Sequence, residues 1–420
     1  MLERRQFLGD WAANFLSLGA LAASGILINT LIAKHHGAAA LGIFNQVFSI
    51  YVLGSQLATL GVQFSVLRYV AEDTHDRGTI ADIVTSALSV AAVSAFLVAI
   101  PIGLIFAFFG GRIYSQTVAN GVMVMLPGLW FFALNKVLLN TLNALRLNRL
   151  YAALTTFRYL LMAGTITLAI AAGAHDYMLS IILPASEAIL LVTLALTIQR
   201  VVPGVFSYPR ESWIRRHLAF GLRSVPGGLA VGLNTRIDVL VLGLFTTDAA
   251  VGVYSFAAFF IEGLLQLPQL SRRIVDPPLA RLSKPESRAD LSAFVKKGRN
   301  LGAAGALLVA ALAIAVYPVI ATLLVGPALS SQSWSVFAIL MMGAGIFGIY
   351  ATFGGLLSQA GLPAAQSRLN VTILAANLLL NFALVPAYGI NGAAIATALS
   401  FIIGTVYFRM QVNRLLGIQF

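Results

Sequence analysis

Apolar runs of twenty residues or more recur along this chain from Trp11 to the C-terminus, and that feature removes most folds from consideration. The stretch from Ala81 to Phe109 is apolar over nearly its whole length and too long for a strand, which excludes a membrane β-barrel built from short alternating segments. Composition points the same way. Hydrophobic residues make up 59% of the 420 and charged ones 10%, against about 45–50% and about 25% in soluble domains. With a mean hydropathy of +0.88, such a chain cannot cover a water-facing surface. It reads as an all-α polytopic membrane protein.

About twelve spans are predicted, near 11–33, 42–67, 81–108, 117–144, 150–174, 177–199, 218–244, 250–272, 300–325, 333–358, 366–386 and 391–409. The first resembles a signal peptide in its flanking Arg4 and Arg5, but its apolar run continues to Ala33, beyond the ~7–15 residues of a signal core. It is therefore read as an uncleaved span. The net charge of +12 follows membrane orientation: the termini and the even-to-odd loops carry 21 Lys and Arg, the opposite loops only Lys34 and Arg112. Both termini are expected in the cytoplasm. The longest aqueous segments, 200–217 and 273–299, then face the same side, and the latter suits anionic lipid headgroups rather than nucleic acid. The absence of cysteine excludes disulfides and thiol chemistry.

The sequence repeats itself. Ala39-Ala40-Leu41-Gly42-Ile43-Phe44 matches Ala249-Ala250-Val251-Gly252-Val253-Tyr254 at an offset of 210, half the chain. A parallel duplication into two six-helix lobes, 1–210 and 211–420, is expected, with a pseudo-twofold axis along the membrane normal. The matched spans 2 and 8 each carry a polar stripe at helical spacing: Asn45, Ser49, Gln56, Thr59 and Gln63 on one, Ser255, Glu262, Gln266, Gln269 and Arg273 on the other. Polar groups in hydrocarbon are costly, so each stripe faces either neighbouring helices or a wet cavity.

Apart from the outermost residues of each span, seven ionisable residues fall within the spans: Lys136, Arg158, Glu187, Arg223, Arg236, Asp238 and Glu262. Lys136 and Arg223 lie near span ends and can snorkel. Glu187 and Glu262 lie near mid-span, where a carboxylate acts as a hydrogen-bonding group or as a proton or cation site. Arg236 and Asp238 are about 200° apart around a helix and cannot pair with each other. Arg236 must find a partner on another helix or an anionic ligand. Several motifs carry no chemistry. Gly343-Ala344-Gly345-Ile346-Phe347-Gly348 has dinucleotide spacing but lies inside a span, and His35-His36 and Glu72-Asp73-Thr74-His75-Asp76 read as polar turns rather than metal sites. No cofactor motif is found.

Two segments resemble a known family. Asn234-Thr235-Arg236-Ile237-Asp238-Val239-Leu240-Val241-Leu242-Gly243, with Val251-Gly252-Val253-Tyr254-Ser255-Phe256-Ala257, is similar to the second-half opening of Wzx-type polysaccharide flippases. The end of the chain, Asn377 to Asn381 and then Val385-Pro386-Ala387-Tyr388-Gly389-Ile390-Asn391-Gly392-Ala393-Ala394-Ile395-Ala396, is similar to their terminal helix pair. The motifs mark the multidrug/oligosaccharidyl-lipid/polysaccharide superfamily better than they mark a substrate.

The resemblance implies a V-shaped, MATE-like, alternating-access transporter with no enzymatic step, set in a bacterial inner membrane. Its implied cargo is an undecaprenyl-pyrophosphate-linked oligosaccharide, an O-antigen or exopolysaccharide unit, moved from the cytoplasmic to the periplasmic leaflet. Polysaccharide polymerase machinery is an implied downstream partner. A pyrophosphate needs cations, and the implied set is Arg236, Arg68 and Arg273, with Arg158 and Lys136 as further candidates. Glu262, Asp238 and Glu187 are candidates for ion coupling. Alternatives within the superfamily are a drug antiporter and a peptidoglycan-precursor flippase, but span 1 lacks both the acidic residue usual in the first and the cation usual in the second. A membrane enzyme of polysaccharide synthesis is the remaining alternative.

Overall fold

The computed structural model describes residues 2–72, 76–283 and 287–418, with side chains throughout these except at 2–18, 231, 273 and 288. The side chains of Arg4, Arg5, Arg273 and Arg288, the whole of Lys284, and the centre of the Glu72–Asp76 turn lie outside what is described.

Every regular element among the described residues is helical. In chain order they are α1 (Leu2–Ala58), α2 (Val62–Glu72), α3 (Arg77–Ile113), α4 (Gln116–Ala144), α5 (Asn148–Ala171), a 3-10 turn (Asp176–Ile181), α6 (Ile182–Val201) and α7 (Glu211–Asn234). There follow α8 (Ile237–Phe245), α9 (Asp248–Leu264), α10 (Gln266–Leu282), α11 (Arg288–Val325), α12 (Pro327–Ala351), the short α13 (Leu356–Gln359) and α14 (Pro363–Leu416). Among the described residues, nine helical segments are long and apolar enough to cross a membrane, and α7 with α8 makes a tenth pass broken at 235–236. Two of the nine, α1 and α14, each hold two helices joined at a glycine with positive φ, Gly37 (84°) and Gly389 (53°). Such a backbone conformation suits glycine and is unfavourable for other L-residues, so the joints sit where the sequence provides one. Counting those halves separately gives the twelve passes expected from hydropathy.

The outward-facing side chains confirm the solvent. Along α3, Val93, Leu97, Ile100, Leu104 and Phe108 are exposed at spacings of three and four. An apolar stripe of that length has no place in water and suits lipid. The polypeptide is a multi-pass membrane protein.

The chain divides into two compact units, Met1–Gly232 and Leu233–Phe420. In the first, α4 is central and packs on α1, α3 and α6 through fully buried Val122, Met125, Leu129 and Leu138. In the second, α12 lies between α11 and α14. Its Phe337 stacks on Tyr317 with ring centroids 4.0 Å apart, and Phe260 meets both edge-on.

Two local differences from the hydropathy reading have clear causes. The predicted span 42–67 is interrupted at Leu60 and Gly61, both with positive φ, so its polar stripe is divided between α1 and α2. The predicted aqueous segment 273–299 is largely helical. Its charges concealed an apolar periodicity: Leu279, Leu291 and Val295 are buried in a cluster with Phe353, Leu356, Leu369 and Phe408.

The start of α2 crosses α7 at glycines. A Cβ on Gly221 would stand 2.2 Å from the Leu60 carbonyl oxygen, and one on Gly61 would stand 2.8 Å from the Gly221 carbonyl oxygen. Beside this crossing His217 is fully buried: its Nε2 donates to the Ile83 carbonyl (3.0 Å) and its Nδ1 accepts from the Ser65 hydroxyl (2.6 Å). Overpacking at such a contact costs about 1–3 kcal/mol or more. Gly221→Val should therefore lower the melting temperature and the monodisperse yield on size exclusion, whereas Gly227→Ala, with open space around it, should not. Equal behaviour of the two variants would show that the crossing is not required.

Candidate functional site

The buried charges form two networks, one in each unit. In the first unit α4, α5 and α6 bring Asn135, Arg158 and Glu187 together around Tyr51 of α1. Arg158 Nη2 pairs with Glu187 Oε1, and the two side chains are 14% and 2% exposed. Asn135 Nδ2 donates to Glu187 Oε2 (2.8 Å) and to the Glu187 carbonyl oxygen (2.8 Å), while the Tyr51 hydroxyl donates to Oε1 (3.4 Å). The Arg158 guanidinium also lies 4.7 Å from the Phe132 ring centroid, and Lys136 Nζ lies 5.3 Å from the same ring. Two cations thus surround one carboxylate, and Arg158 Nε has no hydrogen-bond partner among the described residues.

In the second unit the chain breaks between α7 and α8, and Arg236 caps the N-terminus of α8. Its guanidinium meets Glu262 of α9 in a two-pronged contact, Nη1 to Oε1 and Nη2 to Oε2, both 3.0 Å. The side chains are 17% and 37% exposed, so this pair is the more accessible of the two. Asp238, in the first turn of α8, accepts from the backbone N–H of Val239 (2.9 Å) and from the Tyr254 hydroxyl. A carboxylate there is favoured by the positive end of the helix dipole. Arg236 and Asp238 diverge as their spacing requires, to partners eight residues apart on α9. On α14 the Thr397 hydroxyl donates to Asn377 Oδ1 (3.5 Å), and Asn381 Nδ2 donates to the same oxygen (2.8 Å).

Other residues expected in the site are placed as follows. Arg68 is 59% exposed at the end of α2 and pairs with Glu72 at 2.8 Å, beside Tyr69 and Phe220. The Arg273 side chain lies outside the described residues. Of the first stripe, Asn45, Ser49, Thr59 and Gln63 are buried. Asn45 donates to Asn29 (3.1 Å) and to the Leu41 carbonyl (2.9 Å), Ser49 to the Asn45 carbonyl (2.7 Å), and Thr59 to the Gln56 carbonyl (3.2 Å). These bonds belong to the protein interior. Gln56 is half-buried. On the second stripe Ser255 is buried, while Gln266 and Gln269 are exposed.

Sequence reasoning missed Tyr51, Asn135, Tyr254, Thr397 and Arg272. Asn135 and Tyr254 carried a signal, since each is a polar group within an apolar span that also holds an ionisable residue. Arg272, at the end of the predicted span 250–272 and one of the 21 cations assigned to the cytoplasmic side, was not expected in the site. It instead lies beside Asp276, where the bare backbone of Gly355 makes room: a Cβ there would stand 2.8 Å from both Arg272 Nη2 and Asp276 Oδ1.

With this geometry established, similarity to known proteins can be read. The family described as polysaccharide biosynthesis protein matches residues 7–269, well over half of the chain. The chain belongs to that family. A probable flippase of Haloferax volcanii, AglR, is 25% identical over 181 residues, covering 40% of this chain and 36% of the relative. The chain thus matches little more than a third of that relative's length. Among solved structures, the lipid II flippase MurJ in an inward closed conformation superposes with a TM-score of 0.74 at 15% identity, covering 96% of this chain and 87% of MurJ. An inward-facing multidrug resistance MATE transporter of the MOP superfamily gives 0.71 at 15% identity, covering 96% and 95%. At that identity the likeness establishes the fold, which is that of MOP-superfamily transporters.

Breaking a buried ion pair leaves an uncompensated charge and costs about 3–5 kcal/mol, while replacing both members with apolar groups of similar volume is close to neutral. Glu187→Leu should therefore lower thermal stability in detergent sharply, and Arg158→Met combined with Glu187→Leu should recover most of the loss. A single variant as stable as the double would show that Arg158 does not depend on Glu187.

Proposed function

We propose that this protein is an alternating-access flippase that carries an undecaprenyl-pyrophosphate-linked oligosaccharide, an O-antigen or exopolysaccharide unit, from the cytoplasmic to the periplasmic leaflet. No bond is made or broken in the cargo, so the protein acts as a transporter rather than an enzyme. Its halves, 1–210 and 211–420, are the products of a parallel duplication, both termini are cytoplasmic, and the setting is a bacterial plasma membrane. The family membership, the fold and the naming of a relative as a probable flippase support this reading.

The observation that carries the mechanism is the two-pronged contact between Arg236 and Glu262. Arginine keeps its charge and its planar fork binds phosphate oxygens as well as carboxylates. Glu262 therefore acts as an internal stand-in for the cargo headgroup. A pyrophosphate arriving at Arg236 displaces the carboxylate, which then takes up a proton or a cation, because a bare charge in hydrocarbon is expensive. Asp238, buried beside Tyr254, is the second acid through which such an ion is coupled. Arg158 and Lys136 supply positive potential in the first unit, and Arg68 and Arg273 attract the headgroup at the cytoplasmic surface.

The sign of the pH effect follows. Protonating Glu262 frees Arg236, so headgroup binding should strengthen as pH falls through the titration of Glu262. Glu262→Gln mimics the protonated state, and its binding of undecaprenyl pyrophosphate should lose that pH dependence. Arg236→Lys keeps charge without the fork and should retain partial glycan export in a deletion strain; Arg236→Ala should lose most of it, at least about tenfold. Parental export by a well-inserted Ala variant would exclude Arg236 from the cargo path.

Orientation is tested separately. Single cysteines in this cysteine-free chain should be labelled by an impermeant reagent from outside at Arg112 and only after permeabilisation at Lys297. The reverse pattern would invert the transport direction.

A further inference from the structure

Within the unit Leu233–Phe420 a cavity of about 390 Å³ lies between α8, α9, α10, α12 and α14. That falls in the range of small-molecule sites, about 300–1,000 Å³. Its wall on α9 and α10 includes Tyr254, Ala258, Glu262, Leu265, Gln269 and Arg272, a stripe at helical spacing that extends about 27 Å at 1.5 Å per residue. The chamber is therefore elongated along these helices.

The lining has an unusual hydrogen-bond balance. Three buried polar atoms on the wall have no partner among the described residues: Asn234 Oδ1, Gln366 Oε1 and Arg272 Nε. The first two accept and the third donates. Buried polar groups are nearly always paired, so something in the chamber must both donate and accept. A fully ionised phosphate satisfies Arg272 but offers the amide oxygens no proton. An acyl chain satisfies none of the three. Hydroxyl groups satisfy all.

Two further features favour a sugar over another hydroxylic ligand. Gln366 donates through Nε2 to Asn370 Oδ1 (3.4 Å), and this orients two planar amides side by side along one face of α14. The chamber also presents aromatic rings, Phe347 and Phe401, stacked with centroids 5.1 Å apart. Amide edges match ring hydroxyls, and aromatic surfaces match the apolar C–H faces of a pyranose. Glu262 on this wall is held by Arg236, so it brings no free carboxylate to the chamber.

We propose that this chamber is a carbohydrate subsite that seats neutral sugar residues of the cargo, hexose or N-acetylhexosamine, apart from the charged headgroup at Arg236. The assignment rests on the flippase reading and deepens it: the second unit reads the glycan, so part of the specificity for cargo resides in Gln366, Asn370, Asn234 and Arg272.

The test uses the purified full chain in lipid nanodiscs and two probes, undecaprenyl pyrophosphate and the same lipid bearing one N-acetylglucosamine. The sugar-bearing probe should bind about tenfold more tightly, the worth of one or two net hydrogen bonds with ring packing. In Gln366→Leu and Asn370→Leu, which keep side-chain bulk, the ratio between the probes should fall to near one. The ratio is the readout, so a general loss of folded protein does not imitate the result; Asn370→Ser serves as a milder variant if the leucine forms fold poorly. A ratio of one in the parent protein, or a tenfold ratio that survives in all the variants, overturns the subsite and leaves the chamber to water. Failure of the parent to bind either probe overturns the flippase reading as well.

Discussion

Charge inside hydrocarbon is the constraint on which this structure turns. A carboxylate or guanidinium in the bilayer interior is tolerated only where a partner and hydrogen bonds replace its lost hydration. Among the described residues the chain meets that demand with two arginine–glutamate pairs, and the two differ in kind. Arg158 and Glu187 are enclosed by Asn135, Tyr51 and Phe132. Arg236 and Glu262 meet through a clean fork, with over a third of Glu262 exposed. The enclosed pair suits architecture. The accessible pair suits exchange, because a competing anion can reach the guanidinium without first dismantling a packed shell.

The position of Arg236 depends on a failure of helix continuity. A residue in the middle of an unbroken helix projects from a face set by its neighbours, and Arg236 would then compete with Asp238 for orientation around one axis. The break at 235–236 instead puts Arg236 at the N-terminus of α8 and leaves Asp238 in its first turn. Interrupted helices are common where transporters hold ions, since the freed backbone and the helix dipole add to what side chains supply. Pro226-Gly227-Gly228, two to three turns earlier, lies inside the preceding helix, where the proline removes one backbone donor.

The fold was largely legible because hydropathy reports on solvent, and here the solvent is lipid. Span existence followed from length and apolarity, and the glycine joints at 37 and 389 fell between predicted spans. The reading failed where charge density masked periodicity, as in α10 and the start of α11, whose cytoplasmic-looking arginines and lysines alternate with the buried Leu279, Leu291 and Val295. It also treated the polar stripe from Asn45 to Gln63 as one continuous face, which the positive φ at Leu60 and Gly61 interrupts. No periodicity argument registers a backbone turn of two residues.

The candidate site was legible as a set of residues and illegible as a set of partners. Sequence identified Arg158, Glu187, Arg236, Asp238 and Glu262 because ionisable groups are conspicuous against an apolar background. Pairing depends on which helices pack together, and spacing within one helix says only which pairs are impossible. That exclusion was informative: it forced Arg236 and Asp238 to separate partners, and α9 supplies both, two turns apart. Much of the neutral chemistry escaped. Thr397, Gln366 and Asn370 are ordinary residues in a membrane helix, and only their convergence on one chamber distinguishes them from the many hydroxyls and amides that bond back to their own backbone. Charged groups stand out in an apolar chain. Neutral ones have no charge to mark them, and they become visible as a set only in three dimensions.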